Sequence, residues 1–145
     1  MSIIAVRMCM PIQLEIVTAE RVVLSEEVDM VSAPSVEGRV GILPRHEPLL
    51  TVLQPGELHY VKNGVSMPYA ISGGFMEVLP NRVTILADTA ERADEIDETR
   101  AEQARLQAEQ AMRDRQSTED LARAEIALRR ATVRLQVAKL RRNRQ

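Results

Sequence analysis

All six glycines and all seven prolines of this 145-residue chain lie before residue 91, and none follows. Glycine and proline are the strongest local punctuation in a sequence, marking turns and ending helices. The chain must therefore change architecture near that point. Its first part is cut into short pieces, while its last part can run as long helix without a break. The segment ERADEIDETRA, residues 91–101, sits where the change occurs.

The pieces before residue 91 read as strands. IQLEIVT alternates apolar and polar positions, as a strand with one buried face does. RVVLSEEVDMVSAP supplies two β-rich pieces around Ser25-Glu26-Glu27, and GRVGILP, LLTVL, ELHYVKNG, VSMPYAISGG, FMEVLP and RVTILAD follow. Turn signals at Pro34, Gly38, Pro44, Pro55-Gly56, Asn63-Gly64, Gly73-Gly74 and Pro80-Asn81 recur about every ten residues. Asn63-Gly64 is the sharpest, because a type I′ hairpin turn needs positive φ at both central positions. Pro68 inside a strand predicts an edge or a bulge there. Many short strands at this spacing predict a β-sandwich or barrel over residues 11–90.

Residues 91–145 change to a helical period. Ala101, Ala104, Ala108 and Ala111 form one seam, and Leu121, Ala124, Leu128, Ala131, Leu135 and Ala138 form another, both at coiled-coil spacing. Arg115-Gln116-Ser117-Thr118 lies between, with Ser117 as N-cap and Glu119 and Asp120 suited to the helix dipole. A loop so short predicts an antiparallel hairpin. Alanine buries little apolar area, so the hairpin is expected to be marginal by itself. The net charge of −2 conceals a strong asymmetry. Residues 91–120 hold five basic and ten acidic side chains, whereas residues 121–145 hold eight basic and one acidic. So basic a tail calls for an acidic neighbour, inside the molecule or outside it.

Composition narrows the function. One Phe, two Tyr and no Trp leave little to stack bases on, which argues against a nucleic-acid partner. The single Cys9 forms no internal disulfide and fits a reducing compartment. MSIIAVRMCM is neither a signal peptide nor a spanning helix, so residues 1–10 are expected to be a disordered extension and membrane contact to run only through partners. His46 and His59 have no nucleophile or metal-ligand spacing around them. No catalytic residue and no metal site are therefore expected. Glu26-Glu27-Asp29 reads as a solvated charge cluster on a turn, and Ser72-Gly73-Gly74 lacks the Lys-Ser/Thr of a phosphate loop.

Taken together, LEIVTAERVVLSEEVDMVSAPSVEGRVGILPRHEPLLTVLQPGEL, ISGGFMEVLPNRVTILADTAERADEID and ALRRATVRL resemble the epsilon subunit of the bacterial F-type rotary ATP synthase, from about Met10 to Arg142. The resemblance implies an α+β chain: a ten-stranded β-sandwich followed by a C-terminal antiparallel two-helix hairpin. It implies no catalysis by this chain, and a place in the central-stalk rotor. The partners would be the gamma subunit, the c-subunit ring, and the beta and alpha subunits of the catalytic head. The rotor couples proton or sodium flow to ATP synthesis, on the cytoplasmic face of the plasma membrane as a peripheral protein. The hairpin is expected to swing between a folded form and an extended form that inhibits ATP hydrolysis. Candidate partner contacts are Glu37, Gly38, Arg39 and His46 in the loop region, and Arg123, Arg129, Arg141 and Arg142 in the basic helix.

The resemblance also bears on ERADEIDETRA. In some members of that family the folded hairpin binds ATP through the motif I/L-D-x-x-R-A. Ile96, Asp97, Arg100 and Ala101 match it, Glu91 matches an acidic position, and Arg130 and Arg134 match an i, i+4 arginine pair on one helix face. Arg100, Arg130 and Arg134 would hold phosphates, and Glu91 and Asp97 would accept hydrogen bonds from adenine or ribose. ATP would be a regulatory ligand, with or without Mg, and no cofactor is obligatory. The alternative is a stand-alone ATP-sensing module of the same fold.

Overall fold

The computed structural model describes residues 11–143, with side chains as far as Leu140. The expected extension at residues 1–10 and the side chains of Arg141 and Arg142 lie outside the described residues. Ten strands come first: β1 (Ile12–Val17), β2 (Val22–Val28), β3 (Met30–Ser35), β4 (Gly38–Ile42), β5 (Leu49–Leu53), β6 (Gly56–Lys62), β7 (Val65–Ile71), β8 (Gly74–Leu79), β9 (Arg82–Ala87) and β10 (Ala90–Arg92). A single 3₁₀ turn at Ala93–Glu95 leads to helices α1 (Glu98–Arg113) and α2 (Thr118–Asn143).

The strands form two five-stranded layers. One runs β10-β7-β6-β3-β4 and the other β5-β8-β9-β1-β2, joined where Ser35 of β3 meets Leu53 of β5. All pairs are antiparallel except β1 with β9. Alternation puts Ile12, Leu14 and Ile16 of β1 inward, where they meet Leu58, Ile71, Met76, Val78, Val83 and Ile85 from both layers. The core is aliphatic, as the shortage of aromatics requires. Tyr60 and Tyr69 lie at its edge, with ring centroids 6.1 Å apart.

Local chemistry explains the turns. Asn63 (φ 52) and Gly64 (φ 78) both take positive φ, joining Lys62 to Val65 across a tight hairpin. Strand β7 pairs with β6 along its whole length, but with β10 only at Tyr69–Ile71. Pro68 sits just beyond that doubly paired stretch, where its missing N–H costs no ladder bond to β10.

Two expectations change. Ser25-Glu26-Glu27 is not a turn: it lies inside β2, and the strand break comes at Asp29. Nor is Glu26 an unpaired surface charge: half-buried, its carboxylate accepts from Lys62 Nζ at 2.5 Å and Tyr60 Oη at 3.2 Å. A strand pairs its residues with distant ones, so local charge density did not reveal the partner. The strands also run to Arg92, two residues beyond the 11–90 span.

The hairpin is antiparallel about its alanine seam. Ala101, Ala108, Ala124, Ala131 and Ala138 are buried, while Ala111, near the connecting loop, is exposed. Ser117 caps α2, its Oγ accepting from Asp120 N at 3.1 Å. The acidic character of α1 is partly met at home. Arg105 pairs with Glu102 and Glu109 of its own helix and holds Glu102 below the usual carboxylate range.

Candidate functional site

Helix α2 lies on the outer face of the β10-β7-β6 layer. Ala70 of β7, Ala93, Ile96, Val133, Val137 and Ala138 form a small apolar cluster of their own there. Val133 and Val137 are one turn apart on a second stripe of α2, distinct from the seam facing α1. The register then decides where Glu91 points. Glu91 is paired with Ala70 across β10 and β7, and paired residues share a face of a sheet. The carboxylate therefore faces α2. Arg134 meets it there, with Nε donating to Oε2 at 2.7 Å and Nη2 donating to Oε1 at 3.0 Å.

The motif residues around the helix start have structural duties. Ile96 is buried in the docking cluster. Asp97 is the N-cap of α1, its Oδ1 accepting from Arg100 N at 3.1 Å. Ala101 is the first buried position of the seam. The Arg100 side chain is exposed, as is Arg130.

Between the sandwich edge and α2 opens a cleft of about 240 Å³, lined by Ser72, Thr89, Glu91, Arg130, Val133 and Arg134 among others. It brings together Glu91, Arg130 and Arg134 of the sequence-derived candidates. Asp97, Arg100, Ile96 and Ala101 do not line it. Ser72 and Thr89 were not among the candidates. Thr89 Oγ1 and N both reach Ser72 Oγ, at 2.7 and 2.9 Å, so the hydroxyls close one wall. Their partnership across 17 residues left no local signal in the sequence.

The candidate partner contacts are scattered. Glu37 lies in the two-residue β3–β4 turn, and Gly38, at φ 124, opens β4. Arg39 is tied into the fold, donating to Ser32 Oγ at 2.7 Å and to the Glu57 carbonyl at 2.6 Å. His46 is half-buried, its Nδ1 2.7 Å from the Glu47 carbonyl oxygen. Arg129 reaches Gln54 at 3.4 Å, and Arg123 lines a groove near the connecting loop of the hairpin.

A second surface lies on the opposite side. Among the described residues no helix packs on the outer face of the β5-β8-β9-β1-β2 layer. Register aligns Val52 with Phe75, Phe75 with Leu86, Leu86 with Val17, and Val17 with Val22. Phe75 is 52% exposed and Leu86 53%. At about 4.8 Å per strand the row is about 19 Å long. Its signal was available: Phe75 and Leu79 occupy the outward phase of β8, where a solvated sheet face carries polar residues.

Among the described residues no His/Cys/Asp/Glu group has metal-site geometry, and no helix is long and apolar enough to cross a membrane. Residues 11–93 match the ATP synthase delta/epsilon chain beta-sandwich domain, and residues 94–139 match the long alpha-helix domain of the same chains. The chain is 67% identical over 131 residues to the ATP synthase epsilon chain of Chloroflexus aggregans, covering 90% of this chain and 94% of that one. It is 53% identical over 132 residues to the epsilon chain of Dehalococcoides mccartyi, with the same coverages of 90% and 94%. Among solved structures it resembles a chain of the Euglena gracilis mitochondrial ATP synthase, OSCP/F1/c-ring in rotational state 1. That likeness has a TM-score of 0.78 at 28% identity, over 90% of this chain and 82% of the other.

Proposed function

Because the chain belongs to the ATP synthase delta/epsilon family, as an epsilon-type chain of the central stalk, we propose that it is a non-catalytic rotor subunit whose hairpin acts as a nucleotide-sensitive brake on ATP hydrolysis. The sandwich is the fixed part. Its uncovered apolar row, from Val52 through Phe75 and Leu86 to Val17 and Val22, fits the gamma subunit, since a band of that length left in water marks an interaction surface. The chain meets the membrane only through the c-ring, as a peripheral protein on the cytoplasmic face.

The hairpin is the moving part. The observation that carries this reading is how little holds it down. Three of the six side chains in the docking cluster are alanine, and an ion pair at the edge adds to them. An extended hairpin exposes those residues and the seam, and re-buries them on gamma and on the alpha and beta subunits. Two arrangements that bury similar small areas stay close in free energy, which a switch requires.

ATP acts on the folded form. Glu91, Arg130 and Arg134 share the cleft, and Arg100 is exposed on the adjoining helix. At about 240 Å³ the cleft is below the roughly 300–1,000 Å³ of ligand pockets. It therefore takes part of a nucleotide, and the remainder lies on the surface towards α1. A ligand at a hundredfold excess over its Kd adds about 2.7 kcal/mol to the form it binds. That moves a near-balanced equilibrium decisively.

The test is a truncation after Glu95, which keeps strand β10. Assembly and ATP synthesis should persist, and hydrolysis by the de-energised enzyme should rise. Unchanged hydrolysis rules out the brake. Phe75→Ser with Leu86→Ser should weaken assembly with gamma while the isolated chain keeps its stability. Assembly at wild-type affinity removes the row from the interface.

A further inference from the structure

Arg134 presents to Glu91 the edge it would present to a phosphate. Its Nε and Nη2 donate to the two carboxylate oxygens at 2.7 and 3.0 Å, the forked geometry that guanidinium uses for either anion. The two side chains are 23% and 35% exposed, so the pair lies in the mouth of the cleft rather than in the core. Arg130, one turn earlier on the same helix face, lines the cleft and has no ion-pair partner among the described residues. Glu91 is held on a strand paired to β7, so its carboxylate stays beside Arg134 without needing to be recruited.

We propose that Glu91 is an internal counter-anion, which the polyphosphate of a nucleotide must displace from Arg134 in order to bind. This rests on the nucleotide reading above and changes the part Glu91 plays in it. The same carboxylate does two things. In the empty protein it fastens α2 to β10, and so holds the hairpin folded. When polyphosphate arrives it is a competitor, tethered at a high effective concentration. Occupancy exchanges one anion for another on Arg134, and Arg130 supplies the further positive charge that a polyphosphate can use and a single carboxylate cannot. The ligand class is therefore defined by the polyphosphate, and inorganic tripolyphosphate enters the same subsite.

The experiment uses the full chain as wild type, Glu91→Gln, Glu91→Asp and Arg130→Ala. Calorimetry measures ATP and tripolyphosphate, and hydrogen exchange follows the α2 amides without ligand. Glu91→Gln should bind tripolyphosphate about tenfold tighter, the size of one lost charge-assisted contact. Its α2 amides should exchange about tenfold faster when empty. Glu91→Asp keeps the charge but shortens the reach, and should move both readouts the same way by less. Arg130→Ala should weaken tripolyphosphate in every background. If wild type binds ATP but Glu91→Gln and Glu91→Asp leave tripolyphosphate binding unchanged or weaker, the proposal is overturned and the nucleotide reading stands. If no variant binds ATP or tripolyphosphate, both are overturned together.

Discussion

Lys62 donates to Glu26 across 2.5 Å, joining β6 of one layer to β2 of the other, 36 residues away in sequence. The two strands belong to opposite layers, so the pair clasps one layer to the other. Lys62, foremost by its hydrogen bond, holds the Glu26 carboxyl below the usual range, and Tyr60 adds a smaller effect in the same direction.

This clasp predicts an acid response. Glu26 has a depressed pKa in the folded state, so its contribution is present above the unfolded carboxylate pKa and is lost as pH falls through the folded value. The Lys62 and Glu26 side chains are 41% and 32% exposed to water, which limits the pair to about 1 kcal/mol or less. Lys62→Met should lower stability by that amount at pH 7, and the difference should vanish at low pH. NMR titration should show Glu26 returning towards its ordinary pKa in the variant.

Tyr60 predicts the alkaline response. Burial, with the charges of Tyr69 and Glu26 adding to it, pushes its phenol up to about 12. A raised folded pKa makes the contribution complete below the unfolded value near 10 and removes it as pH climbs towards 12. Denaturant midpoints should therefore fall between those limits. Tyr60→Phe should flatten the fall without abolishing it, because burial raises Tyr69 as well. An equally steep loss in the variant would mean that Tyr60 ionises freely in the fold.

Gly74 predicts a steric limit. Its φ is +135, and an added Cβ would stand 2.0 Å from the Leu86 carbonyl oxygen. Backbone is not free to move aside, so Gly74→Ala should cost about 3 kcal/mol or more from overlap and strain combined. Gly41→Ala meets nothing within 4 Å and should be nearly neutral. Chemical denaturation of the two variants checks the contrast.

Val137 predicts independent loosening of the hairpin. It is fully buried in the docking cluster. Val137→Ala removes two carbons, about 1.5 kcal/mol of burial plus a cavity term. The amides of α1 and α2 should exchange about tenfold faster or more, and those of the sandwich core should not change. Equal acceleration of both would show one cooperative unit, and no separable arm.

Much of this molecule was legible along the chain. The Asn63-Gly64 turn, the Pro68 edge, the Ser117 cap and the inward residues of β1 all rest on interactions among near neighbours. Strand and helix periods state which side of an element is apolar, and most of the core follows from that. The motif at the helix start was visible too, but not what each residue does there. Ile96, Asp97 and Ala101 serve docking, capping and the seam, while Glu91 lies in a strand and faces a helix 43 residues further on.

What the chain's own letters determined was local: turn chemistry, periodicity, caps and the change of architecture once glycine and proline cease. What tertiary structure alone decided was pairing between distant elements. The register of β10 on β7 chose the face on which Glu91 stands, and a shift of one residue would have turned it away from Arg134. Lys62 reached Glu26 because two layers closed on each other. Charge and size can be read one residue at a time, but a partner is settled only by which surfaces the packed core brings together.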